Sequence, residues 1–214
     1  YSPAKLRRYQ DIIDFHFSAK GINPNVLNML NTRYVIVPTE QGPQVQRNPG
    51  APGCVWFVDE IRWVNSPDEE IVALNDFDPV RTAVIDKMWQ SDLPSWQQLA
   101  SSDSTASIRL TDYPAPDHLI YESQSSSPRL AVFSEVFYKT WHAYIDGKEV
   151  KPVRVDYILR GLAIPAGAHK IEFRCVDDVY LRSARISLIA SIVVGVAFLV
   201  LIGLAVRGAI ASKS

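Results

Sequence analysis

Few side chains in this sequence have the types and spacing of catalytic groups. Asp76 and Asp78 form an Asp-x-Asp pair, and two carboxylates at this spacing can hold one divalent cation in a sugar-nucleotide transferase. Because Pro79 follows directly, we favour a loop as the explanation. No two of the four histidines have the sequence spacing that lets both bind one metal ion; they are His16, His118, His142 and His169. Gly-x-Ser-x-Gly and glycine-rich phosphate loops are also absent from the sequence. The sequence therefore predicts no catalytic residue, no metal site and no cofactor.

Aromatic residues are the main candidates for ligand binding, because aromatic planes can stack on sugar rings. The chain has five tryptophans, for which core packing is the default expectation: Trp56, Trp63, Trp89, Trp96 and Trp141. The first candidates for a ligand-binding face are Tyr144, Tyr157 and Arg160, which we predict near the strand ends of two β-hairpins. The alternative is that these three side chains only cover an edge strand and bind no ligand, and we favour it.

The most specific element is an apolar segment near the carboxyl end. Residues 186–206 are 21 consecutive residues without an ionisable side chain. As a helix they would be about 31 Å long, which is close to the thickness of the hydrocarbon core of a bilayer. Long basic side chains that can reach lipid headgroups flank the segment at Arg182, Arg185, Arg207 and Lys213. The sequence therefore predicts a transmembrane helix over residues 186–206 and a short tail over 207–214.

Residues 1–104 mix helix and strand signals, so we predict a mixed α/β segment. Three dipeptides combine a capping side chain with proline at the first helical position, which predicts a helix start at Ser2-Pro3, Asn23-Pro24 and Ser66-Pro67. The remaining predictions are a buried strand over residues 32–37, strands over 54–58 and 82–85, a turn-rich connector over 41–53, and a loop or short helix over 86–104.

From residue 105 onward the pattern is that of antiparallel strands. Trp141, Ala143 and Ile145 alternate on one face of a strand, and Asp146-Gly147 predicts a two-residue type I′ turn with a return strand over residues 149–156. A second hairpin is predicted from residues 161–165, a turn at 166–167 and a return strand over 169–175. The sequence therefore predicts an antiparallel β-sandwich-like domain over 105–180 and an α+β, mainly β fold for the chain.

Composition narrows the possible classes of function. The 22 Lys+Arg and 23 Asp+Glu give a net charge of −1, so the chain lacks the basic excess typical of a nucleic-acid partner. Cys54 and Cys175 can pair or stay free, and we favour free thiols because cysteine is among the most buried residue types. The chain opens at Tyr1 without methionine or an apolar leader, so we expect it to be part of a longer protein.

Several motifs occur in a specific order along the chain. They are residues 5–10 (KLRRYQ), 27–36 (LNMLNTRYVI), 56–58 (WFV), 133–135 (FSE), 141–148 (WHAYIDGK), 157–160 (YILR), 165–167 (PAG) and 169–173 (HKIEF). Together they resemble the C-terminal region of YfhO-type bacterial membrane proteins, in the form common among Bacteroidetes-type sequences. The resemblance implies a polytopic protein with about a dozen helices, related to GT-C-fold glycosyltransferases that use lipid-linked sugars. It also implies that the catalytic acid lies in an early loop outside this sequence.

We therefore expect the non-catalytic extracytoplasmic domain and last transmembrane helix of a YfhO-like protein. The resemblance links that protein to the transfer of sugars from lipid carriers to cell-envelope glycans. The implied partners are the lipid bilayer, the transmembrane core of the same polypeptide, and a lipid-linked sugar or envelope glycan. The alternative is a membrane-tethered carbohydrate- or protein-binding β module with no enzymatic partner domain.

The expected location is the cell (inner, cytoplasmic) membrane, with residues 1–185 extracytoplasmic. A count of basic residues alone leaves the orientation open. Four of them lie within twenty residues before the helix, against two after it, which by the positive-inside rule favours a cytoplasmic domain. Two of the four, Lys170 and Arg174, belong to a predicted strand, and without them the flanks are balanced.

Overall fold

The computed structural model describes residues 6–17, 21–93, 99 and 103–211, apart from the side chains of residues 178, 181, 200 and 204–211. The chain divides into two compact units, Tyr1–Cys175 and Val176–Ser214. The first unit contains several β-sheets, and the second contains one long apolar helix. The predicted mainly β class and the apolar C-terminal helix are therefore confirmed.

The first unit has three α-helices, one 3₁₀ helix and thirteen strands among its described residues. The helices are α1 (Arg7–His16), α2 (Pro24–Met29), α3 (Pro67–Ala73) and the 3₁₀ helix Lys87–Asp92. The strands are β1 (Tyr34–Val37), β2 (Gln44–Arg47), β3 (Val55–Val58), β4 (Glu60–Val64), β5 (Thr82–Asp86), β6 (Ser107–Ala115), β7 (His118–Ser125), β8 (Arg129–Val136), β9 (Trp141–Ile145), β10 (Lys148–Val150), β11 (Val153–Val155), β12 (Leu159–Ile164) and β13 (Gly167–Cys175). The second unit contains α4 (Asp178–Ala211).

The helix starts predicted at Asn23-Pro24 and Ser66-Pro67 are confirmed, whereas Ser2-Pro3 lies outside the described residues. The Asn23 side chain accepts hydrogen bonds from the backbone N–H groups of Asn25 and Val26, and the Ser66 hydroxyl accepts one from Glu69. These side chains satisfy N–H groups that have no partner inside the helix.

Two antiparallel sheets dominate the first unit. One has five strands in the order β10-β9-β13-β7-β6, and the other has four in the order β11-β12-β8-β3. Two smaller sheets pair β1 with β2 antiparallel and β4 with β5 parallel. Strand β3 precedes residue 105, yet it pairs with β8, so the four-stranded sheet combines strands from both predicted segments.

The two large sheets share one hydrophobic cluster. Tyr121, Phe133 and Phe173 are almost fully buried, and their rings meet edge to face, with centroids 4.9 Å apart for Tyr121–Phe133 and 4.8 Å for Phe133–Phe173. Phe133 belongs to the four-stranded sheet, whereas Tyr121 and Phe173 belong to the five-stranded one. Aromatic pairs in this geometry are each worth about 0.5–1.5 kcal/mol beyond their area burial.

A second cluster lies against the opposite face of the four-stranded sheet. Leu130 and Val132 of β8 belong to it, while their neighbours Ala131 and Phe133 belong to the cluster between the large sheets, as the two-residue period of a strand requires. Helices α2 and α3 and strand β5 supply further members of this second cluster, including Met29, Ala73 and Ile85. Strand β8 is therefore covered on both faces.

The prediction of a buried strand over residues 32–37 was wrong about burial. Strand β1 forms there, but Tyr34 is 64% and Ile36 is 69% exposed. It pairs with β2, which lies in the segment predicted as a connector. A two-stranded sheet leaves one face open unless another element covers it.

Of the two predicted hairpins, only the turn of the first one is confirmed. Asp146 and Gly147 both have positive φ, 51° and 80°, and they join β9 to β10 as a type I′ turn does. The single return strand predicted over residues 149–156 was wrong, because β10 ends at Val150 and β11 pairs in the other sheet. Pro152, which has no backbone N–H, stands at this break. The second predicted hairpin was also wrong, since β12 and β13 belong to different sheets.

Helix α4 is long and apolar enough to cross a membrane. Within the stretch Arg182–Gly203, an 18-residue segment has a mean hydropathy of 2.8, and no part of that segment is buried within the structure. Its described large apolar side chains are 45% exposed or more, for example Ile202 at 45% and Leu199 at 68%. A helix that is apolar on all sides and has no protein cover is suited to a lipid environment.

Candidate functional site

An aromatic cleft lies where the chain twice crosses between the two large sheets. Residues 137–140 lead from β8 in the four-stranded sheet to β9 in the five-stranded one, and Lys151 and Pro152 lead back from β10 to β11. A cleft of about 620 Å³ is lined by these two segments together with the 3₁₀ helix. We name it the aromatic cleft, after the side chains of Trp89, Phe137, Tyr138 and Trp141 that line it. Its volume lies within the range of typical small-molecule sites.

Trp89 and Phe137 form one part of the wall. Their rings meet edge to face with centroids 5.3 Å apart. The ammonium of Lys151 lies 5.9 Å from the centroid of the Trp89 ring, and the Arg154 guanidinium lies 5.7 Å from it. These cation–π contacts restrict the orientation of the indole, so Trp89 offers a fixed surface to the cleft.

Trp141 is held in place by a buried arginine. The guanidinium of Arg160 lies 4.2 Å from the Trp141 ring centroid and 4.8 Å from that of Phe173. Arg160 also donates a hydrogen bond of 3.2 Å to Glu135. Burial lowers the pKa of Arg160, while the Glu135 charge acts in the opposite direction. Because a guanidinium loses its proton only in strongly alkaline solution, the group stays charged and Trp141 keeps a cation against its ring.

The rim of the aromatic cleft carries charged groups. His142 Nδ1 lies 2.8 Å from Glu149 Oε1, and Lys151 Nζ donates to both carboxylate oxygens of Asp92 at 2.9 and 2.8 Å. The Lys139 side chain forms no hydrogen bond or ion pair with the residues that the structure describes. The cleft therefore combines flat apolar surfaces with several donors and acceptors at its edge.

The three predicted ligand-binding residues do not converge on one site. Arg160 is 1% exposed and reaches the aromatic cleft only through Trp141. Tyr157 is 7% exposed, and its hydroxyl donates to Asp11 Oδ2 at 2.9 Å. Tyr144 is half-buried on β9, with the Arg174 guanidinium 5.3 Å from its ring centroid. Direct ligand binding by these residues stays a prediction.

No family model, curated protein or solved structure matches this chain.

The other sequence candidates have structural explanations. Trp56 is buried and its Nε1 donates to the Pro79 carbonyl at 2.7 Å, whereas Trp96 lies outside the described residues. Asp78 Oδ1 accepts from the backbone N–H of Val80 at 3.0 Å, which is a local turn contact. Within the described ranges, no three His, Cys, Asp or Glu side chains are grouped as metal ligands. Cys54 and Cys175 are free thiols and both are half-buried.

The sequence did not predict the aromatic cleft as a site: Trp89 and Trp141 were considered for sugar stacking only together with the other three tryptophans, with core packing as the default expectation. Phe137 and Tyr138 lie in a segment without strand alternation, and Pro152 interrupts the next strand. Two such interruptions close in sequence are the signal that could have indicated chain crossings and a cleft between them.

Proposed function

We propose that this chain is the C-terminal region of a YfhO-like membrane protein and binds a glycan in the aromatic cleft. In this proposal the two large sheets form a β-sandwich, residues 1–185 are extracytoplasmic, and α4 is the last transmembrane helix, in the cell membrane. The fragment itself carries no catalytic group and presents a glycan to a sugar-transfer reaction elsewhere in the parent protein. The observation that supports glycan binding is the pair Trp89 and Trp141 in the walls of one cleft.

Sugar rings have the chemistry that suits this cleft. The C–H face of a pyranose is apolar and packs on an aromatic plane, while its hydroxyls need donors and acceptors at the edge. His142, Glu149 and Lys151 line the cleft and supply both kinds of group. Among the described residues that line the cleft Glu149 is the one carboxylate, and the Asp92 carboxylate at the rim is paired with Lys151 Nζ at 2.8 Å. Glycoside hydrolysis normally requires two carboxylates that face the scissile bond. Binding without hydrolysis is therefore the function that the cleft supports best.

Binding can be tested with the full chain held in detergent micelles or nanodiscs and screened against envelope-type oligosaccharides. We expect Trp141→Ala and Tyr138→Ala each to weaken binding about threefold to tenfold, the usual worth of one aromatic contact. Tyr113→Ala is the matched control, because Tyr113 is 55% exposed on β6 and does not line the cleft, whereas Tyr138 is 44% exposed. Equal effects of Tyr138→Ala and Tyr113→Ala would contradict this assignment of the site.

The link to sugar transfer needs the parent protein. Deleting residues 1–185 from it and measuring the transfer of labelled sugar from lipid carrier to envelope glycan tests whether the domain contributes. Loss of transfer would support the proposal. Unchanged transfer would mean that the domain has only a structural role and would contradict it. If the chain instead functions without an enzymatic core, as a tethered glycan-binding module, the cleft variants lose binding while no transfer activity depends on them.

The proposed orientation has its own test. Protease added to sealed spheroplasts should digest residues 1–185 and leave a membrane-protected α4. Protection of the domain in spheroplasts whose cytoplasmic marker stays intact would place it on the cytoplasmic side instead.

A further inference from the structure

A second groove lies beside the aromatic cleft and has a different character. It has a volume of about 310 Å³ and is lined by the start of α1, by residues 136–139 and by parts of β11 and the turn after it. We name it the basic groove, because its lining includes Arg7, Arg8, Lys139 and Arg154 and no carboxylate. We propose that the basic groove binds the phosphate of an anionic phospholipid, with part of the lipid's hydrocarbon along its apolar wall.

The charges around the basic groove leave an excess of positive charge. The carboxylate that pairs with these cations is Glu70, which is fully buried behind the groove and contacts Arg154 Nη2 at 3.1 Å and Arg8 Nη1 at 3.6 Å. One carboxylate thus faces two guanidinium groups. The side chains of Arg7 and Lys139 form no ion pair or hydrogen bond with any residue in the described part of the chain. An anion in the groove would meet these two free cations.

The Arg8 and Arg154 side chains are fixed before any ligand binds. Arg154 is 8% exposed, and its Nε is buried without a hydrogen-bond partner among the described residues. The Arg8 guanidinium lies 4.4 Å from the Tyr157 ring centroid. Helix α1 also has no acidic residue in its first turn, so the positive end of its dipole is not offset there. Preorganised cations favour anion binding because little side-chain freedom is lost.

The apolar part of the lining distinguishes a lipid phosphate from a free phosphate. Leu6, Val136, Phe137 and Ile158 contribute aliphatic and aromatic surface to the same groove. Inorganic phosphate is strongly hydrated and gains nothing from such a wall, whereas a phosphate joined to hydrocarbon buries that hydrocarbon against it. Helix α4 of the same chain is long and apolar enough to cross a membrane, which makes phospholipid an available ligand.

The test is a calorimetric titration of the full chain, held in nanodiscs of neutral lipid, with dihexanoyl phosphatidic acid below its micellar concentration. Dihexanoyl phosphatidylcholine supplies the same tails with a neutral headgroup, and inorganic phosphate supplies the anion alone. We expect saturable binding of the phosphatidic acid and at least tenfold weaker binding of the other two. Arg7→Gln and Lys139→Gln should each weaken the binding of phosphatidic acid about tenfold, as the loss of one charge-assisted hydrogen bond does.

Matched controls are Arg33→Gln and Lys148→Gln, which remove exposed cations that do not line the groove. Unchanged thermal unfolding would show that all four variants fold. Equal binding of the phosphatidylcholine analogue, binding of inorganic phosphate as tight as that of phosphatidic acid, or equal effects of groove and control variants would each overturn the proposal. Arg7 does not line the aromatic cleft, so Arg7→Gln should leave glycan binding unchanged, and the two proposals can fail separately.

Discussion

Two consecutive residues adopt a left-handed backbone at the turn between β11 and β12. Asp156 has φ 49° and Tyr157 has φ 69°, which is an unfavourable conformation for tyrosine in particular. Buried carboxyl groups hold the turn. Asp156 Oδ1 accepts from the Val84 N–H at 2.7 Å, and Glu70 Oε1 accepts from the Tyr157 N–H at 3.1 Å. The turn therefore depends on two acidic side chains inside the core.

Asp156→Asn should change how stability depends on pH. Burial raises the pKa of Asp156 well above its usual value, and the Glu70 charge raises it further. The folded chain then binds this proton more tightly than the unfolded chain, so wild-type stability falls as pH rises above about 4 through the folded pKa. Asparagine keeps the acceptor for Val84 and tolerates positive φ.

The stability of Asp156→Asn relative to wild type should therefore increase over that range. The gain is about 1.4 kcal/mol for every pH unit by which the folded pKa exceeds the unfolded one. Urea unfolding of both proteins in the same detergent, followed at several pH values, measures this difference. A difference that does not vary with pH would contradict a raised pKa at Asp156.

His16 gives the opposite pH dependence. Its Nε2–H donates to the Ile71 carbonyl at 3.1 Å, its Nδ1 faces the Asn23 amide at 3.2 Å, and burial lowers its pKa. The folded chain favours neutral histidine, so this contribution is complete above about pH 6.5 and is lost as pH falls through the folded pKa. We expect the free energy of unfolding of His16→Gln to vary less with pH between 6.5 and 5 than that of the wild type, measured by the same urea titrations. An unchanged slope would show that His16 is not the responsible group.

At the scale of elements, the sequence predicted strands better than it predicted their partners. Alternation identified β9 and the shared face of Ala143 and Ile145, which are both buried, because a strand's period is a local property. Which sheet a strand joins depends on contacts distant in sequence, so β12 and β13 were wrongly paired with each other. The aromatic cleft was missed for the same reason, since its walls come from three separate segments.

The pairing of β11 with β12 requires glycine at position 161. Gly161 lies opposite Val153, and a Cβ added to it would come within 2.5 Å of Val155 Cγ1 and 3.2 Å of Val153 Cγ2. Because both valines are fully buried, Gly161→Ala should destabilise the fold by about 1–3 kcal/mol.

A double-mutant cycle measured by urea unfolding tests this steric explanation. Combining Gly161→Ala with Val155→Ala should recover about 1 kcal/mol or more relative to the sum of the single effects. Val153→Ala, which removes the more distant methyl, should recover less. If the stability changes of Gly161→Ala and Val155→Ala simply add, the added methyl group does not clash with Val155.

At the scale of the whole molecule, the strongest expectation concerns α4. Its exposed apolar surface is compatible with lipid on every side, so the chain should stay in the membrane pellet after an alkaline carbonate wash. Arginine near the centre of a spanning helix costs about 2.5–3.5 kcal/mol, so the double variant Val194→Arg/Phe198→Arg should shift the chain towards the soluble fraction. Val45→Arg/Val72→Arg places the same two charges at exposed valines in the first unit and should leave the chain in the pellet. Release of the wild-type chain by carbonate, or its solubility without detergent, would mean that another surface covers α4 and that it does not span a membrane.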